Sequence, residues 1–319
     1  MSEQFKHIIW AVDATQECDD LEMRCLEAIR TLIAGHPTKV EPVFIYPPLP
    51  ASYSFELIYP PAEDYRSEAA ENLKNRLKNI TSPKLSPLKI FDKLLLSTAG
   101  AVSELTKYGE EIQADLIVVG THCRKGIARL FLGSFAETLL LHSRTPLLMV
   151  GTHATEITNF EAILFPTDLG PCAEAVFPRV VDLAKRLKSK LDIYHMISRA
   201  ARFEEARQTA RRKLEVSQQL AKNARVAAEI IIEQAATSES ETILAAAQAR
   251  NSSLIAMAAH SGAVASTIVG STTRQVVRGA SCPVWVLHTH GMAQTLTFDI
   301  TEEDVLSELV GHGHELESA

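Results

Sequence analysis

The chain repeats itself, and this limits its folds more than any other feature does. Gly133-Ser134 through Pro146-Leu147-Leu148-Met149-Val150 matches Gly270-Ser271 through Pro283-Val284-Trp285-Val286-Leu287, with the Gly-Ser pair and the proline at one constant offset of 137. The openings match too. Ile8-Ile9-Trp10-Ala11-Val12-Asp13 corresponds to Ile163-Leu164-Phe165-Pro166-Thr167-Asp168 at an offset of 155, so the first copy is the longer one. A period of this size is a whole domain rather than a solenoid unit. We therefore read two copies of one domain, at 1–153 and 158–290, followed by a tail at 291–319.

Each copy alternates short apolar runs with amphipathic stretches. In the first, strands are expected at Ile8–Asp13, Val40–Tyr46, Lys89–Leu96, Leu116–Val119 and Leu147–Val150. Helical spacing marks Glu17–Ile33, Ala62–Asn79, Ala101–Ile112 and Ser134–His142. In the second, strands are expected at Ile163–Pro166, Leu191–His195, Ala228–Ile232, Leu254–Met257 and Val284–His288. A long helix over Arg202–Ala224 is rich in Arg and Lys and reads as a solvated face. Such alternation predicts α/β architecture: two tandem domains, each a five-stranded parallel sheet with helices on both faces, Rossmann-like. Sheets of this kind take ligands beyond the carboxyl ends of their strands, where the strand order reverses.

Charge narrows the function classes. The net charge is −7, but Asp299, Glu302, Glu303, Asp304, Glu308, Glu315 and Glu317 all fall in the tail, which has no Lys or Arg. The two copies together are neutral, so no general attraction to nucleic acid or an anionic membrane is expected. No window approaches the ~20 apolar residues of a membrane span, and the opening apolar run is too short for a signal peptide. Cys18, Cys25, Cys123, Cys172 and Cys282 are odd in number and form no C-x-x-C pair. That favours a reducing, cytoplasmic setting, with cysteines acting as small apolar residues. His288 and His290, and His312 and His314, are spaced two apart but lack a third ligand, so they read as exposed loop histidines and no metal site is expected.

The segment from Asp115 to Ser134 carries the most chemistry. Gly120 closes a strand, where a missing side chain lets a ligand approach the backbone. Gly133-Ser134 opens a helix, whose free N–H groups and dipole favour a phosphate. An ordinary tight turn with a serine cap would have the same pattern.

These residues resemble the universal stress protein family. Its nucleotide-binding signature is G-x2-G-x9-G-[S/T], followed by a helix and a final strand preceded by proline. Gly120, Gly133 and Ser134 stand at the first glycine, the third glycine and the hydroxyl position, and His122 and Gly126 are similar to common loop residues. Asp13 matches the acid beside the adenosine part, and Ile45 takes the place of a residue flanking adenine. Cys123 replaces the second glycine; Arg124 and Lys125 beside it would lower a thiol pKa, which leaves a redox-sensing role open. In the second copy Asp168, Met196, His260, Gly270 and Ser271 hold the matching places, but Ala258 replaces the first glycine and the loop is one residue shorter.

The resemblance covers about residues 5–290 and implies a tandem fold of the adenine nucleotide alpha hydrolase-like type. It implies ATP or a related adenine nucleotide in the first copy, with Mg accompanying it, and weaker binding in the second. It further implies pairing of the two copies through Pro146–Val150 and Pro283–Leu287. Three functions stay open: a non-catalytic nucleotide-responsive stress protein acting through an unknown protein partner, a ligand-free interaction module, and a slow ATP hydrolase with Asp13 or His122 as base. A homodimer is also left open. In the tail, Thr301-Glu302-Glu303-Asp304 reads as a helix start that docks on its own domain or on another chain.

Overall fold

The computed structural model describes residues 5–12, 20–33, 36–45, 62–91, 98–121, 134–155, 157–199, 203–259 and 270–288. The first repeat runs β1 (His7–Val12), α1 (Asp20–Ile33), β2 (Lys39–Ile45), α2 (Ala62–Lys78), β3 (Lys89–Phe91), α3 (Thr98–Glu111), β4 (Leu116–Gly120), α4 (Ser134–His142) and β5 (Leu147–Val150). The second runs β6 (Ala162–Pro166), α5 (Pro171–Leu187), β7 (Lys190–Ile197), α6 (Phe203–Asn223), β8 (Ala228–Gln234), α7 (Glu239–Ala249), β9 (Leu254–Ala259), α8 (Ser271–Gly279) and β10 (Val284–His288). The expected third strand, Lys89–Leu96, is described only as far as Phe91. The tail and its helix start lie outside the described residues.

The two five-stranded sheets join into one of ten strands, ordered β3-β2-β1-β4-β5-β10-β9-β6-β7-β8. Neighbours within each repeat are parallel, and the central pair, β5 with β10, is antiparallel. The central strands β4 (LIVVG) and β9 (LIAMAA) are almost wholly buried, as expected of strands covered on both faces. One apolar cluster runs across both repeats, from Ile9, Val43 and Leu105 to Leu164, Ile255 and Val286.

The register locates the relation between repeats. Trp285 pairs with Leu148, its own counterpart at the offset of 137, while Val284 pairs with Met149 and Val286 with Leu147. A pseudo-twofold axis therefore passes between Leu148 and Trp285. Near it, Glu137 of α4 meets its own counterpart, Arg274 of α8, at 3.5 Å, and Arg278 at 3.1 Å. A true twofold would bring identical side chains together here; the unlike residues Glu137 and Arg274 make the contact attractive. Glu137→Arg is expected to destabilise the chain by about 1 kcal/mol at low salt, and adding Arg274→Glu should restore most of it. Urea unfolding at low and high ionic strength checks this; the loss should shrink as salt rises.

Both repeats bury an acid at one register position. Ile9 pairs with Glu41 on β2, and the matching Leu164 pairs with Asp192 on β7. Glu41 accepts hydrogen bonds from Lys39 (2.8 Å), the Tyr108 hydroxyl and the His7 ring (2.9 Å). Burial alone would raise its pKa, but the bonds from Lys39, Tyr108 and His7 outweigh that and lower it. Burial, then Glu41 itself, pushes the Tyr108 phenol up to about 12. Asp192 is instead held by Arg250.

Three side chains differ from or refine the reading of the sequence. His288 is no exposed loop residue: it ends β10, is buried, and its Nε2 donates to the Leu140 carbonyl at 3.1 Å. Cys25 and Cys282 are buried as expected, and burial pushes the Cys282 thiol up to about 12, which makes it inert. On α6 most Arg and Lys are exposed, with an Arg211–Glu215 pair along the helix, in keeping with a solvated face. Among the described residues no helix is long and apolar enough to cross a membrane.

Candidate functional site

In each repeat the strand order reverses between the first and fourth strands: β1 and β4, then β6 and β9. Chain leaving their carboxyl ends departs to opposite sides and opens a crevice. In the second repeat this crevice is a cavity of about 430 Å³. That is within the usual size of a small-molecule pocket.

The local sequence explains the walls. β6 ends at Pro166, and Thr167-Asp168-Leu169-Gly170 turns the chain into α5. The Thr167 hydroxyl accepts from the Leu169 N–H (3.0 Å), and the Asp168 carboxylate accepts from the Gly170 N–H (3.0 Å). A side chain at 170 would lie 2.9 Å from an Asp168 oxygen, so glycine is what lets that carboxylate sit there. Leu169 takes a positive φ of 62°, a strained choice for a branched residue at a turn beside a cavity. β7 contributes Tyr194, His195 and Met196. His195 Nδ1 donates to the Thr167 carbonyl at 2.8 Å, which orients the ring and sets its tautomer. Burial, then the Glu233 carboxylate at 3.0 Å, raises the Tyr194 phenol above its ordinary value and keeps it neutral. The far wall is the start of α8, capped by Gly270, where an added Cβ would meet nothing within 4 Å.

Asp168, Met196, Gly270 and Ser271 thus come together around one cavity, while His260 lies outside the described residues. Ala258, in place of the first glycine, also lines it. Sequence reasoning missed Glu239, Met257, Thr272 and His195 as lining residues. The position of His195 next to Met196 is the signal that could have found it. Glu239 is on a helix 33 residues from Thr272, and no local pattern connects them.

In the first repeat, Ile45 ends β2, Gly120 ends β4, and Ser134 begins α4. Asp13, His122, Cys123, Gly126 and Gly133 lie outside the described residues. Gly120 has a packing role: a Cβ there would come within 2.9 Å of the Leu21 side chain on α1. Strand register equates the repeats independently of any motif. Gly120 pairs with Val150 as Ala258 pairs with Leu287, and by the pairings of β2 and β7 Ile45 corresponds to Met196.

A doubled sheet of 3-2-1-4-5 order, with a ligand-sized cavity at a switch point of the second repeat, defines the class: tandem Rossmann-like α/β domains. Within that class the chain belongs to the universal stress protein family, whose sequence profile matches residues 4–151 and again 159–288. A universal stress protein of Methanocaldococcus jannaschii is 34% identical over 102 residues, which is 32% of this chain and 55% of that protein. The chain therefore spans about half the length of that relative. A universal stress protein structure from Archaeoglobus fulgidus has a TM-score of 0.67 at 18% identity, covering 89% of this chain and 97% of its own. A Pseudomonas aeruginosa protein of unknown function has a TM-score of 0.59 at 14% identity, covering 95% and 98%. These two likenesses concern the fold.

Proposed function

We propose that this chain is a non-catalytic, nucleotide-responsive stress protein whose first repeat binds ATP or a related adenine nucleotide. Asp13 and Ile45 would flank the adenosine part, and Gly120, His122, Cys123, Gly126, Gly133 and Ser134 would form the phosphate loop. One observation carries the reading. By strand register, Ile45 and Gly120 are the counterparts of Met196 and Ala258, which line the cavity of the second repeat. Gly133-Ser134 matches Gly270-Ser271, which caps and opens α8 at the same cavity. Nucleotide occupancy would then bias association with a protein partner. Mg is read as travelling with the phosphates rather than as a resident ion. Among the described residues no three His, Cys, Asp or Glu side chains gather as a metal's ligands.

The test is direct. Mass spectrometry of the denatured, freshly purified protein should release an adenine nucleotide, and calorimetry should give a heat with ATP. Gly133→Val should abolish that heat, because a branched side chain fills the approach to the loop backbone. Absence of both a released nucleotide and any heat at millimolar ATP would favour the ligand-free interaction module. Steady-state phosphate release above background, lost in Ser134→Ala, would instead make the chain a slow hydrolase.

A further inference from the structure

The repeats differ at the start of their last helices. Thr272, in the first turn of α8, donates its hydroxyl to the Glu239 carboxylate at 2.8 Å. Glu239 is the first residue of α7, and it too lines the second cavity. A carboxylate from the protein itself thus stands at the positive end of α8, the place a phosphate would take. The first repeat differs here. Gln113 and Asn251 share a left-handed turn after α3 and α7, and Leu116 and Leu254 hold the same place in β4 and β9, a common offset of 138. That offset makes Ala101 the counterpart of Glu239, and Ala101 is buried and uncharged.

We propose that the second cavity takes an uncharged, hydroxyl-bearing heterocycle of the nucleoside class and rejects its phosphorylated forms, with Glu239 as the residue that sets this choice. The ligand class rests on the reading that these repeats bind adenine nucleotides; the exclusion of phosphate rests on Glu239. Met196, Met257 and Ile243 offer polarisable, apolar walls for a flat ring. Asp168 offers a carboxylate to which ribose hydroxyls can donate. A phosphate at α8 would lie beside the like charge of Glu239, which the Thr272 hydroxyl holds at the helix start, so it meets repulsion there. The cavity can hold the part of a nucleotide that the two repeats would recognise in common, without the part for which only the first is suited.

Methionine-methyl NMR on the full-length chain tests this, because Met196 and Met257 report on the cavity itself. Their signals are assigned by Met196→Leu and Met257→Leu. Adenosine should shift both signals, whereas ATP, with EDTA or with Mg, should leave them in place up to concentrations about tenfold higher. Glu239→Ala, which copies the first repeat, should let ATP shift them, and Glu239→Gln, which keeps a partner for Thr272, should do so in part. The exposed position of Glu239 makes both variants compatible with folding. The proposal is overturned if adenosine moves neither signal, if ATP moves them in the unaltered chain as readily as adenosine does, or if Glu239→Ala leaves the response to ATP unchanged. ATP binding in the first repeat is read separately, from calorimetric heat lost in Gly133→Val. Failure there leaves the methionine result standing, and the reverse also holds.

Discussion

Arg250→Met should cost the chain about 3–5 kcal/mol of unfolding free energy, the usual consequence of stranding one partner of a buried ion pair. Asp192 lies in β7 at 1% exposure, and Arg250 Nε and Nη2 bond its two oxygens at 2.9 and 3.0 Å. Arg250 also pairs with Glu229, and these acids hold its guanidinium strongly in the charged form. Lys190 also lies near Asp192, 3.8 Å away and half exposed, and it cannot replace a bidentate guanidinium. The double variant Asp192→Leu, Arg250→Met removes both charges and should recover most of the loss. Urea unfolding of the three chains at pH 7 checks the ranking. If Arg250→Met alone matches the unaltered chain, the ion pair is not what holds β7 in the sheet.

Trp285→Ala should be comparably severe, at about 3–5 kcal/mol, because it empties the middle of the contact between repeats. Trp285 is 3% exposed and pairs with Leu148 at the pseudo-twofold axis. Its ring meets Phe5 edge-on, with centroids 6.5 Å apart, and the Arg186 guanidinium lies 4.1 Å over the Phe5 ring. Phe5 precedes β1 in the first repeat and Arg186 is on α5 in the second, so one aromatic cluster joins both copies. Trp285→Phe keeps an edge-on ring and removes an indole N–H that has no acceptor among the described residues. It should cost clearly less. Trp10 and Trp285 are the two tryptophans of the chain, so in Trp285→Ala the fluorescence reports β1 alone. A fluorescence transition that departs from the far-ultraviolet one would show the repeats unfolding separately. Coincident transitions at unaltered stability would contradict the role given to this contact.

Much of this architecture is legible in the sequence because its signals are local. The apolar runs of β1, β4, β6 and β9 and the helical spacing of α1 and α3 need only a few residues each to declare themselves. The family resemblance anticipates the β5–β10 pairing, and equivalent strands on a twofold axis must meet antiparallel. His288 was misread because its partner, the Leu140 carbonyl, lies 148 residues away across the joined sheet. Position near a strand end gave no hint that the first repeat would cover it.

The doubled α/β plan and the helix starts at Ser134 and Ser271 are legible in the sequence alone. All of these follow from short-range periodicity or from comparison of the chain with itself. How each copy compensates its buried acid becomes visible only in three dimensions, with His7, Lys39 and Tyr108 around Glu41 but Arg250 on Asp192. The tertiary structure alone brought Glu239 to Thr272, where an internal carboxylate meets the end of α8. The reason is physical. A parallel sheet returns the chain to neighbouring strand ends after long crossovers, so the charges that meet there come from segments with no local relation. What they do depends on the register of the sheet.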